Sequence, residues 1–329
     1  MRRRRSGRRG GSLGRSSGKA SAAEGTPAPH GGLCFHGGVS ALGEGFVRLP
    51  TDAEVAAFWA DGAVVLRGAL DPACVRALES AVTELLGGSE LADMTAMGEG
   101  LAAAGQTVLR EPGAARGRFR GGVDHWLTRP AFARFACASA LPALVARLLR
   151  ATKLNLWEDS LLVKEPHSRE HTAWHQDLGY FHVTGEQLCT TWVPLDAVDA
   201  ASGAMRFARG SHRWPDLYRP NLFVSTQPIP RTEGAVVPDV DALAAAGEIE
   251  LLAWDLALGD VSVHHARTLH AAGANSTERW RRAVSVRYCG DDARYRLRPG
   301  APQKPHHAEV RDGQVLDHER CPVVWRAAP

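Results

Sequence analysis

From Lys153 onward the chain is a succession of short apolar runs rich in Val, Leu, Thr and Trp, each closed by turn residues, and this texture does most to limit its folds. The runs are Leu154 to Lys164, Cys189 to Leu195, Ala204 to Phe207, Ile249 to Ala253, Val261 to His265 and Arg281 to Tyr288. Strands at such spacing argue for an antiparallel sandwich or barrel. With 329 residues, 44% of them hydrophobic, the chain is long enough to bury a sizeable core.

The preceding segment reads as helical. Thr51-Asp-Ala-Glu54 is a capping box that opens a helix, Gly62 to Arg67 a short strand, and Asp71 with Pro72 the N-cap and first residue of a second helix through about Leu86. Residues 88 to 125 hold Gly-rich pieces and weak periodicity, which predicts a long functional loop. A further helix is expected from Ser139 to Leu149, with Pro142 in its first turn. Helices first and strands later make an α+β chain dominated by β, without an internal repeat.

Charge is unevenly spread. Residues 1 to 19 carry eight basic side chains and no acid, leaving 31 basic against 36 acidic groups in the remainder, a net of −5. The overall +3 is therefore a property of the tail, and nucleic-acid binding by the folded part is not expected. Residues 1–36, rich in Arg, Gly and Ser, predict a disordered basic tail ahead of a single domain over 37–329. Six cysteines without a close pair suggest neither a zinc ribbon nor a disulfide scaffold, and no run is long enough for a membrane span. A reducing compartment follows, hence the cytoplasm; an organellar matrix is the alternative if the Arg- and Ser-rich start is a transit peptide.

His175 and Asp177 supply the chemistry. On an extended strand side chains alternate faces, so these two converge while Gln176 points away. Alone, the pair is more readily a hydrogen-bonded surface or core pair than a metal site. One more imidazole would complete a two-His, one-carboxylate triad with half of an octahedral Fe(II) sphere open. His264, His265 and His270 are the candidates, and periodicity does not select one. In the last long strand Arg281, Ala283, Ser285 and Arg287 share a face, with Val284 and Val286 on the other. Two arginines among small residues suit the wall of an anion-binding cavity, since the guanidinium fork grips a carboxylate bidentately; a solvated face is the bland alternative.

Across about residues 50 to 325 the sequence resembles the phytanoyl-CoA dioxygenase family of Fe(II)- and 2-oxoglutarate-dependent oxygenases. The resemblance rests on ordered blocks: Leu162 to Pro166, Trp174 to Asp177, Trp192 to Leu195, Gly203 with Gly210-Ser-His212, Gly259-Asp260, Leu269 to Asn275 and Arg281 to Arg287. It implies a double-stranded β-helix core, jelly-roll and cupin-like, with flanking N-terminal helices. It also implies His175, Asp177 and His270 as iron ligands, and Arg281 as the anchor of the far carboxylate of 2-oxoglutarate. Trp192 would line the cosubstrate pocket, and Lys164 would contact cosubstrate or substrate. The family's Pro-Gly-Ser-His turn reads Ala208-Arg-Gly-Ser-His212 here, without its proline.

The implied reaction takes Fe(2+), 2-oxoglutarate and O2, releases succinate and CO2, and oxidises a C–H bond of a small molecule. Because relatives that halogenate lack the carboxylate, the retained Asp177 favours hydroxylation or a related oxidation. Two alternatives are a catalytically silent β-fold binding protein, whose tail docks a partner or nucleic acid, and a zinc hydrolase. The full ligand set speaks against the first, and the lack of a motif-bearing general base against the second. His212 is expected to be a turn residue, His264 and His265 to point one inward and one outward, and Trp126, Arg118 and Arg120 to belong to a loop that could close over substrate.

Overall fold

A computed structural model of the protein describes residues 42–114 and 116–328. The basic tail expected over residues 1–36 lies outside the described residues. Two antiparallel sheets dominate. The larger runs, in spatial order, Ala63–Leu66, Val261–His265, Leu188–Pro194, Arg281–Cys289, Lys153–Lys164, Phe119–Val123 and Ala92–Asp93, with Val323–Arg326 also paired to Lys153–Lys164. The smaller runs Thr172–His175, His270–Ala272, Met205–Ala208 and Leu251–Ala253. This is the expected jelly-roll, and all six strand runs read from the sequence are present to within a few residues.

The alternation along Arg281–Cys289 explains where each layer goes. Val284, Val286 and Tyr288 face the helices, packing into a core with Leu144, Leu148 and Phe132. Each such side chain contributes roughly 1.5–3 kcal/mol by leaving water. Tyr288 adds an Oη–H bond to the carbonyl of Ala136 at 2.7 Å. Helices Asp52–Asp61, Pro130–Ala138 and Leu141–Leu149 thus cover one face of the larger sheet, and the opposite face, with Arg281, Ser285 and Arg287, lines an interior chamber.

The capping box at Thr51 forms as expected, and Gly62 ends that helix at φ 82°, a left-handed conformation suited to glycine. A Cβ there would also lie 2.3 Å from His212 Nδ1. His212 sits in the turn Ser211–Arg213, with Nε2 3.1 Å from the carbonyl of Trp59.

Four expectations need correction. Residues 88–125 are not one continuous loop: they include Ala92–Asp93, the helix Met94–Ala103 and the strand Phe119–Val123, and the described residues between Ala103 and Phe119 are without helix or strand. Gly98 and Gly100 lower that helix's intrinsic propensity and hide it in the sequence, yet Gly98 is packed, with Val108 Cγ1 3.2 Å from where a Cβ would stand. The helix expected from Pro72 to Leu86 breaks into Pro72–Arg76 and Glu79–Gly87. The strand carrying His175 ends at that residue; Gln176 stays extended and Asp177 opens the 3-10 turn Asp177–Tyr180. Among the described residues four cysteines are free thiols, whereas Cys137 is disulfide-bonded, which departs from the reduced-thiol expectation.

Candidate functional site

The chamber lies between the two sheets. His175 closes the strand Thr172–His175, and His270 opens His270–Ala272 directly opposite it. Both imidazoles are fixed by their own backbone: His175 Nδ1 lies 2.8 Å from the carbonyl of Ala173, and His270 Nδ1 2.9 Å from that of Thr268. A carbonyl only accepts, so each Nδ1 carries the proton and each Nε2 keeps its lone pair. Each Nε2 then stands 3.7 Å from Asp177 Oδ1. The candidate ligand atoms of His175, Asp177 and His270 fall within 4.8 Å of one another.

The protonation states suit metal ligation. Burial, reinforced by His270, pushes the His175 imidazole down to about 3, and burial with His264 pushes His270 down to about 4. Burial works against the Asp177 carboxylate, but His264, His270 and Arg287 together hold it well below its usual range. Two neutral imidazoles and an ionised carboxylate are the donor set of a two-His, one-carboxylate Fe(II) site.

Asp177 is held from behind. The Thr190 hydroxyl donates to Oδ2, and His264 Nε2 stands 3.3 Å from the same oxygen. Thr190 and His264 face each other across neighbouring strands of the larger sheet. Neither role was read from the sequence, because that pairing joins positions more than seventy residues apart. Gln176 points away as expected, its amide donating to Arg267 O at 2.7 Å and accepting from Tyr218 N at 3.1 Å. Of the histidine pair, His264 faces the chamber, and His265 turns toward Phe58, Trp59 and His212.

Arg281 lines the same chamber with only 2% of its surface exposed. Nη2 donates to the carbonyl of Gly203 at 2.9 Å, while Nε and Nη1 are buried with no partner among the described residues. Burial lowers its pKa to about 10, so the guanidinium stays charged at neutral pH. The cation lies 5.0 Å from the centroid of the Trp192 ring, whose own Nε1 is buried and unpartnered. A buried cation with two idle donors fits the far carboxylate of a dicarboxylate ligand.

Lys164 is beside Arg281 in the sheet register but is not among the chamber's lining residues. Its ammonium is fully buried, donates to the carbonyls of Glu170 and Gly273, and lies 4.7 Å from the centroid of Phe119. Burial, then the charge of Arg281, lowers its pKa well below that of an ordinary lysine.

A second cavity of about 600 Å³ adjoins the chamber, sharing Leu162, Asp177, Phe223 and Arg287 with it. Trp126, Arg118 and Arg120 do not line it: Trp126 is core, and both arginines pair with Glu165. From the 88–125 region the wall instead takes Ala92, Met94, Met97 and Gly121 to Asp124.

The family model described as Phytanoyl-CoA dioxygenase (PhyH) matches residues 58–283. A probable phytanoyl-CoA dioxygenase of Caenorhabditis elegans is 25% identical over 223 residues, 62% of this chain and 67% of that protein. A probable alpha-ketoglutarate-dependent hypophosphite dioxygenase of Stutzerimonas stutzeri is 30% identical over 131 residues, 39% of this chain and 43% of that protein, so less than half of its length is spanned. Among solved structures, the non-heme alpha ketoglutarate dependent epimerase SnoN from nogalamycin biosynthesis superposes with a TM-score of 0.61 at 27% identity, covering 84% of this chain and 98% of its own.

Proposed function

The chain belongs to the phytanoyl-CoA dioxygenase family, and we propose that its iron is held by His175, Asp177 and His270 and its 2-oxoglutarate by Arg281, with Trp192 as part of that pocket's wall. The enzyme is a non-haem, Fe(II)- and 2-oxoglutarate-dependent dioxygenase. When bound, iron, 2-oxoglutarate and O2 supply an oxidative decarboxylation to succinate and CO2, coupled to oxidation of a substrate C–H bond.

The protein's part is geometry. His175 and His270 present Nε2 lone pairs because their Nδ1 protons are spent on backbone carbonyls. The Thr190 hydroxyl donates to Oδ2 of Asp177, with His264 Nε2 3.3 Å from that oxygen, and Oδ1 is left toward the imidazoles. Arg281 orients the cosubstrate through its idle donors, and the two nitrogens of its buried guanidinium without a partner among the described residues are the observation that carries this reading. Because Asp177 keeps its carboxylate in the ligand set, we favour hydroxylation over halogenation, on a small organic substrate taken up by the adjoining cavity. Residues 37–329 make one catalytic domain on this reading, supported by ligands and cosubstrate anchor coming from both sheets.

Anaerobic addition of Fe(II) and 2-oxoglutarate is expected to produce a visible metal-to-ligand charge-transfer band, absent in Asp177→Ala and His270→Ala. If intact protein shows neither the band nor succinate formation, the proposal fails.

A further inference from the structure

The cavity of about 600 Å³ beside the iron site has the size of a pocket for a drug-sized molecule. Its wall is mostly apolar, with Met94, Met97, Trp157, Phe181, Phe223 and Ile229. Two methionines from one helix give a soft surface able to follow an irregular outline. The remaining polar groups decide what such a cavity accepts.

Its charges cancel. Lys304 Nζ lies 2.8 Å from Asp124 Oδ1 and 2.8 Å from Glu158 Oε2. Arg287 Nη1 bonds to Ser160 Oγ at 2.6 Å and stands 3.7 Å from Glu158 Oε1. Two cations thus face two carboxylates, Asp177 being committed to the metal. Each cation already has a carboxylate within 4 Å, although Arg287 Nε keeps no partner among the described residues, and desolvating a further carboxylate or phosphate here without a matching net positive charge is costly.

A neutral donor is idle as well. His307 lines the cavity, 95% buried by its 5% exposure, and lies against Trp157 with ring planes 21° apart. The backbone N–H of Lys304 donates to His307 Nδ1 at 3.1 Å, so Nδ1 must be the acceptor nitrogen and the neutral ring carries its proton on Nε2. Nε2 has no partner among the described residues. Burial, with His182, His306 and Lys304 nearby, lowers the ring's pKa to about 3 and keeps it neutral. A buried N–H without an acceptor calls for one from outside.

We propose that the substrate is an uncharged, predominantly apolar molecule carrying an oxygen acceptor (a carbonyl, ether or hydroxyl) that accepts a hydrogen bond from His307 Nε2. His307 is then a specificity-determining residue, and anionic acyl or phosphate groups are excluded from this cavity. The inference rests on the oxygenase reading only in treating the adjoining chamber as the reaction centre.

Three bicyclic probes of matched shape test it: tetralin, α-tetralone and tetralin carboxylate, titrated calorimetrically into protein loaded anaerobically with Fe(II) and 2-oxoglutarate. The ketone is expected to bind about tenfold tighter than the hydrocarbon, the gain from one hydrogen bond to an orphaned donor. His307→Phe, which keeps the ring against Trp157, erases that gain, and His307→Gln, with an amide N–H, restores part of it. The carboxylate binds more weakly than the ketone to intact protein and gains affinity in Glu158→Gln, which leaves one cation unmatched. Tightest binding of the carboxylate to intact protein overturns the proposal, as does a ketone preference that survives His307→Phe, or no binding of any probe while the charge-transfer band forms. A ketone preference without the band sinks the oxygenase reading and supports this one. If a variant fails to fold, the ranking of the three probes on intact protein still decides.

Discussion

His270 stands directly across from His175 in the antiparallel pair between Thr172–His175 and His270–Ala272, with ring centroids 4.1 Å apart. This cross-strand relationship separates His270 from its two rivals. His264 lies on the other sheet opposite Thr190, behind the carboxylate, and His265 turns to the helix side. The two proposed ligands lie on paired strands and are held by the sheet itself, which preorganises the site without loop ordering.

Thr190→Val tests the support behind Asp177. The substitution keeps the branched shape and removes the hydroxyl that donates to Oδ2, so the carboxylate is free to rotate. Iron affinity is expected to fall roughly 10–100-fold, the usual cost of losing an outer-sphere partner. Titrating Fe(II) against the charge-transfer band at saturating 2-oxoglutarate measures it. An unchanged midpoint would remove Thr190 from the account.

Lys164 and Arg281, neighbours in the register, are expected to respond differently. Arg281→Ala removes the two idle guanidinium donors proposed to hold the cosubstrate carboxylate and should raise the 2-oxoglutarate KM on the order of 100-fold. Lys164→Met takes a donor from the buried carbonyls of Glu170 and Gly273, with a stability loss of about 1–3 kcal/mol. Its KM should move only a few-fold. A comparable KM rise in both variants would bring Lys164 back into the cosubstrate pocket.

Much of this site was legible in residue spacing. Alternation along Arg281–Cys289 placed Arg281, Ser285 and Arg287 on one face, and the structure uses that face for the chamber and the valines for the core. What spacing could not reach was pairing between distant strands. Thr190 and His264 meet because Leu188–Pro194 and Val261–His265 are adjacent, a fact of topology with no local signal. The helix Met94–Ala103 escaped notice for the opposite reason: its glycines speak against a helix locally, and only packing against Val108 and Val224 explains Gly98. His307 carries no signal in the sequence, because what distinguishes it is the occupation of its Nδ1 by the backbone N–H of Lys304.

His265 gives the protein a pH dependence of stability with a defined sign. Its Nε2 donates to the carbonyl of Glu186 at 2.8 Å and its Nδ1 accepts from Arg267 N at 3.1 Å, so the folded state holds the neutral ring. Burial, then the nearby charges of His212, Arg267 and His264, lowers its pKa from 6.5 to about 4. Below pH 6.5 the unfolded chain takes up a proton that the folded one refuses. The contribution is therefore complete above about pH 6.5 and is lost as pH falls toward 4. Between pH 7 and pH 5 the loss from this one group is about 2 kcal/mol. In His265→Gln the amide cannot titrate, so urea unfolding at the two pH values should show the variant losing about 2 kcal/mol less than the parent. Equal losses in parent and variant would mean that His265 is protonated in the folded protein already at pH 5.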